Sequence, residues 1–187
     1  AAMAWNVSLG LGVKLPTGDD NVQDTFHKLA ADGSDSLITR RVDQSIQLGD
    51  GGVGVNLETQ GYLRVLDRGA LYYNAFYLFS PKGQTEAGFS ASDQYAARAG
   101  IDCAVLPHRG LSAGLGARIE GIPSRDLIGS SAGGRRPGYS VSVEPSVTYR
   151  RGEVNLVFNL PWALYRNRTQ SLSDKQRTRE TGVKTIG

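Results

Sequence analysis

Hydrophobic and polar side chains alternate with a period of two along most of this chain. Residues 5–15 put Trp5, Val7, Leu9, Leu11, Val13 and Leu15 on one parity and Asn6, Ser8, Gly10, Gly12 and Lys14 on the other. Successive side chains of an extended chain point to opposite faces, so this spacing predicts a β-strand with one apolar face. The same pattern predicts six more strands, over 53–66, 70–80, 95–106, 111–122, 139–150 and 153–165. The third is the ambiguous one, with Leu71, Tyr73, Ala75, Tyr77 and Phe79 set against Tyr72, Asn74, Phe76 and Leu78. Pro145 has no N–H to give to a ladder and predicts a bulge in the sixth strand.

The connections alternate between short and long. Asp67-Arg68-Gly69, Pro107-His108-Arg109-Gly110 and Arg151-Gly152 read as tight turns, while 16–52, 81–94, 123–138 and 167–187 are long. The strands, about 11 to 14 residues each, exceed the usual length and match what a tilted strand needs to cross a bilayer. The expected fold is therefore all-β: an antiparallel transmembrane β-barrel of the outer-membrane type, a single domain over 1–187. Its tight turns would be periplasmic and its four long segments external.

A soluble β-sandwich also alternates apolar and polar residues, because one of its faces packs on a core. The placement of charge favours the barrel. Lys14, Glu58, Arg64, Arg98, Asp102, Arg118, Glu120, Glu144 and Arg150 all take the polar parity and are expected to line a lumen. On the opposite, lipid-facing parity a midplane Lys or Arg would cost about 2–4 kcal/mol. Seven strands is an odd count, whereas bacterial single-chain barrels have even counts, and lipid does not tolerate open sheet edges. The chain is accordingly expected to be part of a barrel that further strands complete.

Composition agrees with turn-rich β structure: 24 of the 187 residues are Gly and 8 are Tyr, with 40% hydrophobic. The net charge of +3 is small and its basic residues are scattered, which argues against a nucleic-acid partner. A single cysteine, Cys103, excludes an internal disulfide, and two histidines, His27 and His108, are too few for a His/Cys metal cluster. Neither histidine has a Ser partner in the strand pattern, so no catalytic residue, metal or cofactor is assigned and the protein is not read as an enzyme. Asp19 and Asp20 lack the spacing of a calcium loop.

The 16–52 segment is long for a bare connection. Folded inward, it would form a constriction with Arg40, Arg41, Asp43, Gln44 and Gln47 facing the passage; folded outward, it is an exposed external loop.

Four segments carry a resemblance to a known family: Gly10-Leu11-Gly12-Val13-Lys14-Leu15-Pro16-Thr17-Gly18-Asp19, Val42-Asp43-Gln44-Ser45-Ile46-Gln47-Leu48-Gly49-Asp50-Gly51-Gly52, Tyr77-Leu78-Phe79-Ser80-Pro81-Lys82 and Arg135-Arg136-Pro137-Gly138-Tyr139-Ser140-Val141. They resemble the outer-membrane transporter family of the meta-pathway of phenol degradation, whose members are longer than this chain. The resemblance implies a bacterial outer-membrane barrel linked to aromatic-compound catabolism and carries over no site residue. The expected function is passive uptake of small, aromatic or hydrophobic solutes, with outer-membrane lipid and a small-molecule solute as partners. The alternative is a structural or partner-binding barrel that acts through its long external loops. Strand pattern says nothing about oligomeric state.

Overall fold

The computed structural model describes residues 4–86 and 88–184 of the expected domain; residues 1–3, 87 and 185–187 lie outside the described residues. In chain order it contains β1 (Trp5–Lys14), β2 (Gln23–Leu29), β3 (Asp35–Arg41), β4 (Gly54–Leu66), β5 (Gly69–Phe79), β6 (Gln94–Leu106), β7 (Leu111–Ile122), β8 (Gly138–Arg151), β9 (Val154–Asn159), β10 (Trp162–Arg168) and one helix, α1 (Leu172–Thr181). The main sheet is antiparallel, in the order β1-β4-β5-β6-β7-β8-β10, with β9 pairing the other half of β8. It curls strongly into half a barrel.

Register lines the two parities up across the sheet. One rung reads Trp5, Leu63, Leu71, Ile101, Leu115 and Pro145 from β1 to β8. The neighbouring rung reads Tyr62, Tyr72, Gly100, Gly116 and Glu144. The apolar parity forms the convex face and the polar parity the concave one. Register also settles β5, whose own sequence left both faces open: Tyr72, Asn74, Phe76 and Leu78 join the polar rungs. Phe76 and Leu78 thus share a concave pocket with Lys14, Asn56 and Glu58.

Burial is inverted relative to a water-soluble fold. The 20.1 kDa molecule has 12625 Å² of accessible surface, where a compact monomer of that mass would have about 8,700 Å². Among the described residues Ala91 is the one buried hydrophobic side chain, whereas Asp93, Asp126, Arg135 and Glu144 are buried. Leu9, Leu11 and Leu164, on the convex side, are 83%, 76% and 68% exposed. Among the described residues no helix is long and apolar enough to cross a membrane.

Four expectations need correction. The 16–52 segment is not bare loop: β2 and β3 form a hairpin that pairs with itself, and a 3-10 turn follows at Gln44–Ile46. Residues 167–187 are not all loop either, because β10 runs to Arg168 and α1 follows, its first turn closed by a reciprocal Ser171–Asp174 capping box. The last predicted strand is broken at Leu160-Pro161 into β9 and β10.

Nor does β8 bulge at Pro145 as expected: its ladder with β7 runs unbroken through that residue, because the donor Pro145 lacks would point to the other neighbour. The Pro145 carbonyl accepts the Leu160 N–H at 3.0 Å, so its missing donor faces the β9–β10 edge. In an antiparallel strand the N–H and C=O of one residue point to the same side. Pro145 thus stands opposite Leu160, and Pro161, whose own missing donor points away from β8, follows where the edge is already interrupted. The register shift falls later, between Ala163 and Tyr165.

Candidate functional site

The concave face brings all nine predicted lining residues together on the inward rungs of β1, β4, β6, β7 and β8. Its middle rung opposes Arg98 directly to Arg118, an arrangement that is unfavourable for like charges unless each is compensated. Both are. Arg98 Nη1 reaches past β7 to Glu144 Oε1 on β8 at 3.2 Å, and Arg118 pairs with Glu120 two residues along its own strand. Glu144 is 2% exposed, and its Oε2 has no partner among the described residues.

Glycines open the floor beside this pair. Gly100 and Gly116 face each other across β6 and β7, and the Tyr72 hydroxyl lies over both: a Cβ at either would come within 2.7 and 2.4 Å of it. The missing side chains at Gly100 and Gly116 thus admit a tyrosine ring. Toward the tight turns, Arg64, Asp102 and Arg150 line a cavity of about 580 Å³ that Tyr62, Arg68 and Tyr72 also border.

At the loop end, two of the sequence segments behind the family resemblance meet. Lys14 forms an ion pair with Asp50, and the Gly49 N–H donates to the Asp19 carbonyl at 3.0 Å. Gly18 and Gly49 cross so closely that a Cβ on Gly18 would sit 2.2 Å from the Leu48 carbonyl oxygen. Neither position has room for a side chain.

The five predicted constriction residues separate. Gln44 and Gln47 line a loop-end cavity of about 450 Å³ together with Lys14, Asp50, Gln94 and Arg136. Gln47 also ties the base of the hairpin, accepting from the Val22 N–H at 3.0 Å and donating to the Val22 and Val42 carbonyls. Asp43 pairs with Arg136 at 2.8 Å. Arg40 and Arg41 belong to the hairpin instead: Arg40 lies 4.4 Å over the Phe26 ring, and Arg41 Nε donates to Asn21. His27 is on the same hairpin, exposed, against Asp35.

Asp43 accepts first from the backbone N–H of Ser45, then from the Ser45 hydroxyl, with Arg136 beside it, and these hold its carboxyl at about 2 against an ordinary 3.8. A depressed carboxylate contributes stability that is in place above the ordinary value and is lost as pH falls through the lowered one. The hairpin-to-Arg136 tie is thus expected to hold at pH 4 and to fail near pH 2. Carboxyl-carbon NMR of Asp43 checks this: Ser45→Ala, which leaves the backbone donor, should raise its titration only part of the way to 3.8.

Sequence reasoning missed a buried cluster that clamps the long loops. Asp93 accepts from the Ser80 and Leu127 N–H groups at 2.7 and 2.8 Å and from the Tyr77 hydroxyl at 2.9 Å, while its own N–H donates to Asp126. Asp126 in turn binds the Arg135 guanidinium, which also donates to the Ser90 hydroxyl. A parallel bridge between Phe89 and Gly134 zips the same two loops together. The cluster fixes the loop-end rim of the concave face, and its only sequence signal was charge in otherwise Gly- and Ser-rich connections. Comparison with protein-family models, curated proteins and solved structures finds no match to this chain.

Proposed function

We propose that the curled sheet is part of an outer-membrane β-barrel whose concave face conducts small solutes passively, as the sequence resemblance also suggests. The observation that carries this reading is the inverted burial: charge and glycine inside, large apolar side chains outside. Among the paired positions of the convex parity, the one charge is Arg151, at the turn-end tip of β8. Aromatic residues border this apolar band. At the loop end one convex rung carries Tyr77, Tyr95 and Tyr139, and the Tyr139 ring packs 5.8 Å from that of Tyr165. Trp5 and Tyr149 take the same parity at the turn end.

Band height fits a bilayer. Tyr139 and Tyr149 lie ten positions apart on β8, which is about 34 Å along a strand and about 26 Å along the normal at a tilt of about 40°. The apolar belt of outer-membrane barrels is about 25 Å tall. Strand direction constrains closure as well. β1 and the β9–β10 edge both run from the turn end to the loop end, so direct pairing between them would be parallel. An all-antiparallel barrel closes only if an odd number of strands fills the gap, which makes the total even.

Reconstitution in planar bilayers tests this. Stepwise conductance and recovery in the detergent-extracted membrane fraction are expected; absence of conductance under all conditions sinks the transport reading. The isolation of the β2–β3 hairpin favours, as a second reading, a partner-binding role for that element. Deleting 23–41 separates the two, since Val42 N already donates to Val22 O at 3.1 Å and the ends rejoin there. Gln44 and Gln47 stay in place, so flux should persist while any hairpin-mediated binding is lost.

A further inference from the structure

We propose that the turn-end cavity binds a small organic monocarboxylate through the guanidinium groups of Arg64, Arg68 and Arg150. Its biological use as a solute site rests on the transport reading above, but binding itself does not.

Charge is unevenly settled along the concave face. Lys14, Arg118 and Arg98 are each held by a carboxylate, of Asp50, Glu120 and Glu144 respectively. Arg64, Arg68 and Arg150 line one cavity and form no ion pair among the described residues, although Asp67 and Asp102 share the same wall. Arg64 and Asp102 stand on one rung with Ala70 between them, two strand spacings or about 10 Å apart at the backbone. With Arg98 committed to Glu144, three arginines and two aspartates remain on the wall, an excess of one positive charge. That excess suits a monoanion better than a dianion.

The shape of the wall narrows the ligand. About 580 Å³ lies within the range of small-molecule sites. Guanidinium forks match the planar, two-oxygen geometry of a carboxylate, and a cleft lined by one excess sign concentrates the opposite ion. Tyr62 and Tyr72 face each other on the next rung and border the same cavity, offering flat surface to the body of a planar ligand.

Equilibrium binding of radiolabelled benzoate to the protein in detergent micelles at low salt is the test, with benzyl alcohol as the neutral competitor of similar size. Saturable benzoate binding that benzyl alcohol does not displace is expected. Arg64→Gln and Arg150→Gln should each weaken it about tenfold, and Arg64→Lys, which keeps charge and loses the fork, by less. Lys28→Gln on the distant hairpin should change nothing. These arginines are exposed into the cavity, so the substitutions leave packing intact. Displacement by benzyl alcohol equal to that by benzoate, or unchanged affinity in the Arg64→Gln/Arg68→Gln/Arg150→Gln protein, overturns the proposal. Because micelles report no flux, conductance failure with benzoate binding intact defeats only the transport reading.

Discussion

Arg135→Ala is expected to destabilise the protein by about 3–5 kcal/mol, the cost of leaving one member of a buried ion pair alone. Arg135 and Asp126 are almost wholly buried, with side-chain exposures of 1% and 0%. Both Nη groups of Arg135 are spent on Asp126 and Ser90, and alanine replaces neither. The Asp126 carboxylate would then keep only the Asp93 N–H and the Ser131 hydroxyl near it. Urea titration in micelles measures the loss, and trypsin reports where it acts: cleavage after Lys82 and Arg125, in the two clamped loops, should accelerate. Replacing both partners, as Asp126→Asn with Arg135→Met, should recover much of the loss, since two neutral groups no longer strand a charge. A single-variant loss within about 0.5 kcal/mol of zero, as for an exposed pair, defeats the account of the clamp.

Arg98→Ala should come second, at about 3 kcal/mol, near the lower edge of the range for a broken buried pair. The reason is asymmetric burial: the Glu144 side chain is 3% exposed and that of Arg98 is 39%. Without Arg98 the carboxylate stays on the sheet floor opposite Gly116, with no counter-ion among the described residues. The reciprocal change, Glu144→Gln, leaves a guanidinium that water can reach, though one still opposite Arg118. It should cost about 1 kcal/mol, as exposed pairs do. Urea titration of both variants gives the comparison, and a larger loss for Glu144→Gln would contradict the burial pattern.

Most of the sheet was legible in the sequence because a half-solvated strand writes its facing in a period of two. Residues 111–122 were delimited as β7 outright, and β1, β4, β6 and β8 within a residue at either end. β5 was legible as a strand but not in its facing, since both parities are apolar and only its pairing with Glu58, Gln60 and Arg98 decides the matter. The β2–β3 hairpin was missed because Gln23–Leu29 is polar on both faces and writes no period. Helix α1 was missed for a like reason: its segment is polar all round, although Ser171 three residues before Asp174 is a readable cap.

The nine residues expected to line a passage do share one face, because parity alone assigns them to it. What parity cannot say is who meets whom. Arg98 and Glu144 are 46 positions apart and Asp93 and Leu127 are 34 apart, joined only after the intervening strands have taken their register and the loops have folded back on one another. The split of the constriction residues, with Gln44 and Gln47 at the mouth and Arg40 and Arg41 on a projecting hairpin, is likewise a product of chain reversal at 22–42. The sequence by itself determined the long strands of the main sheet, the apolar and polar faces of all of them but β5, and the tight turns, since these follow from local alternation and turn chemistry. Tertiary structure alone decided the curl that makes the polar face concave, the ion pairs across it and the clamp at its rim, since each depends on groups that only the folded register brings within reach.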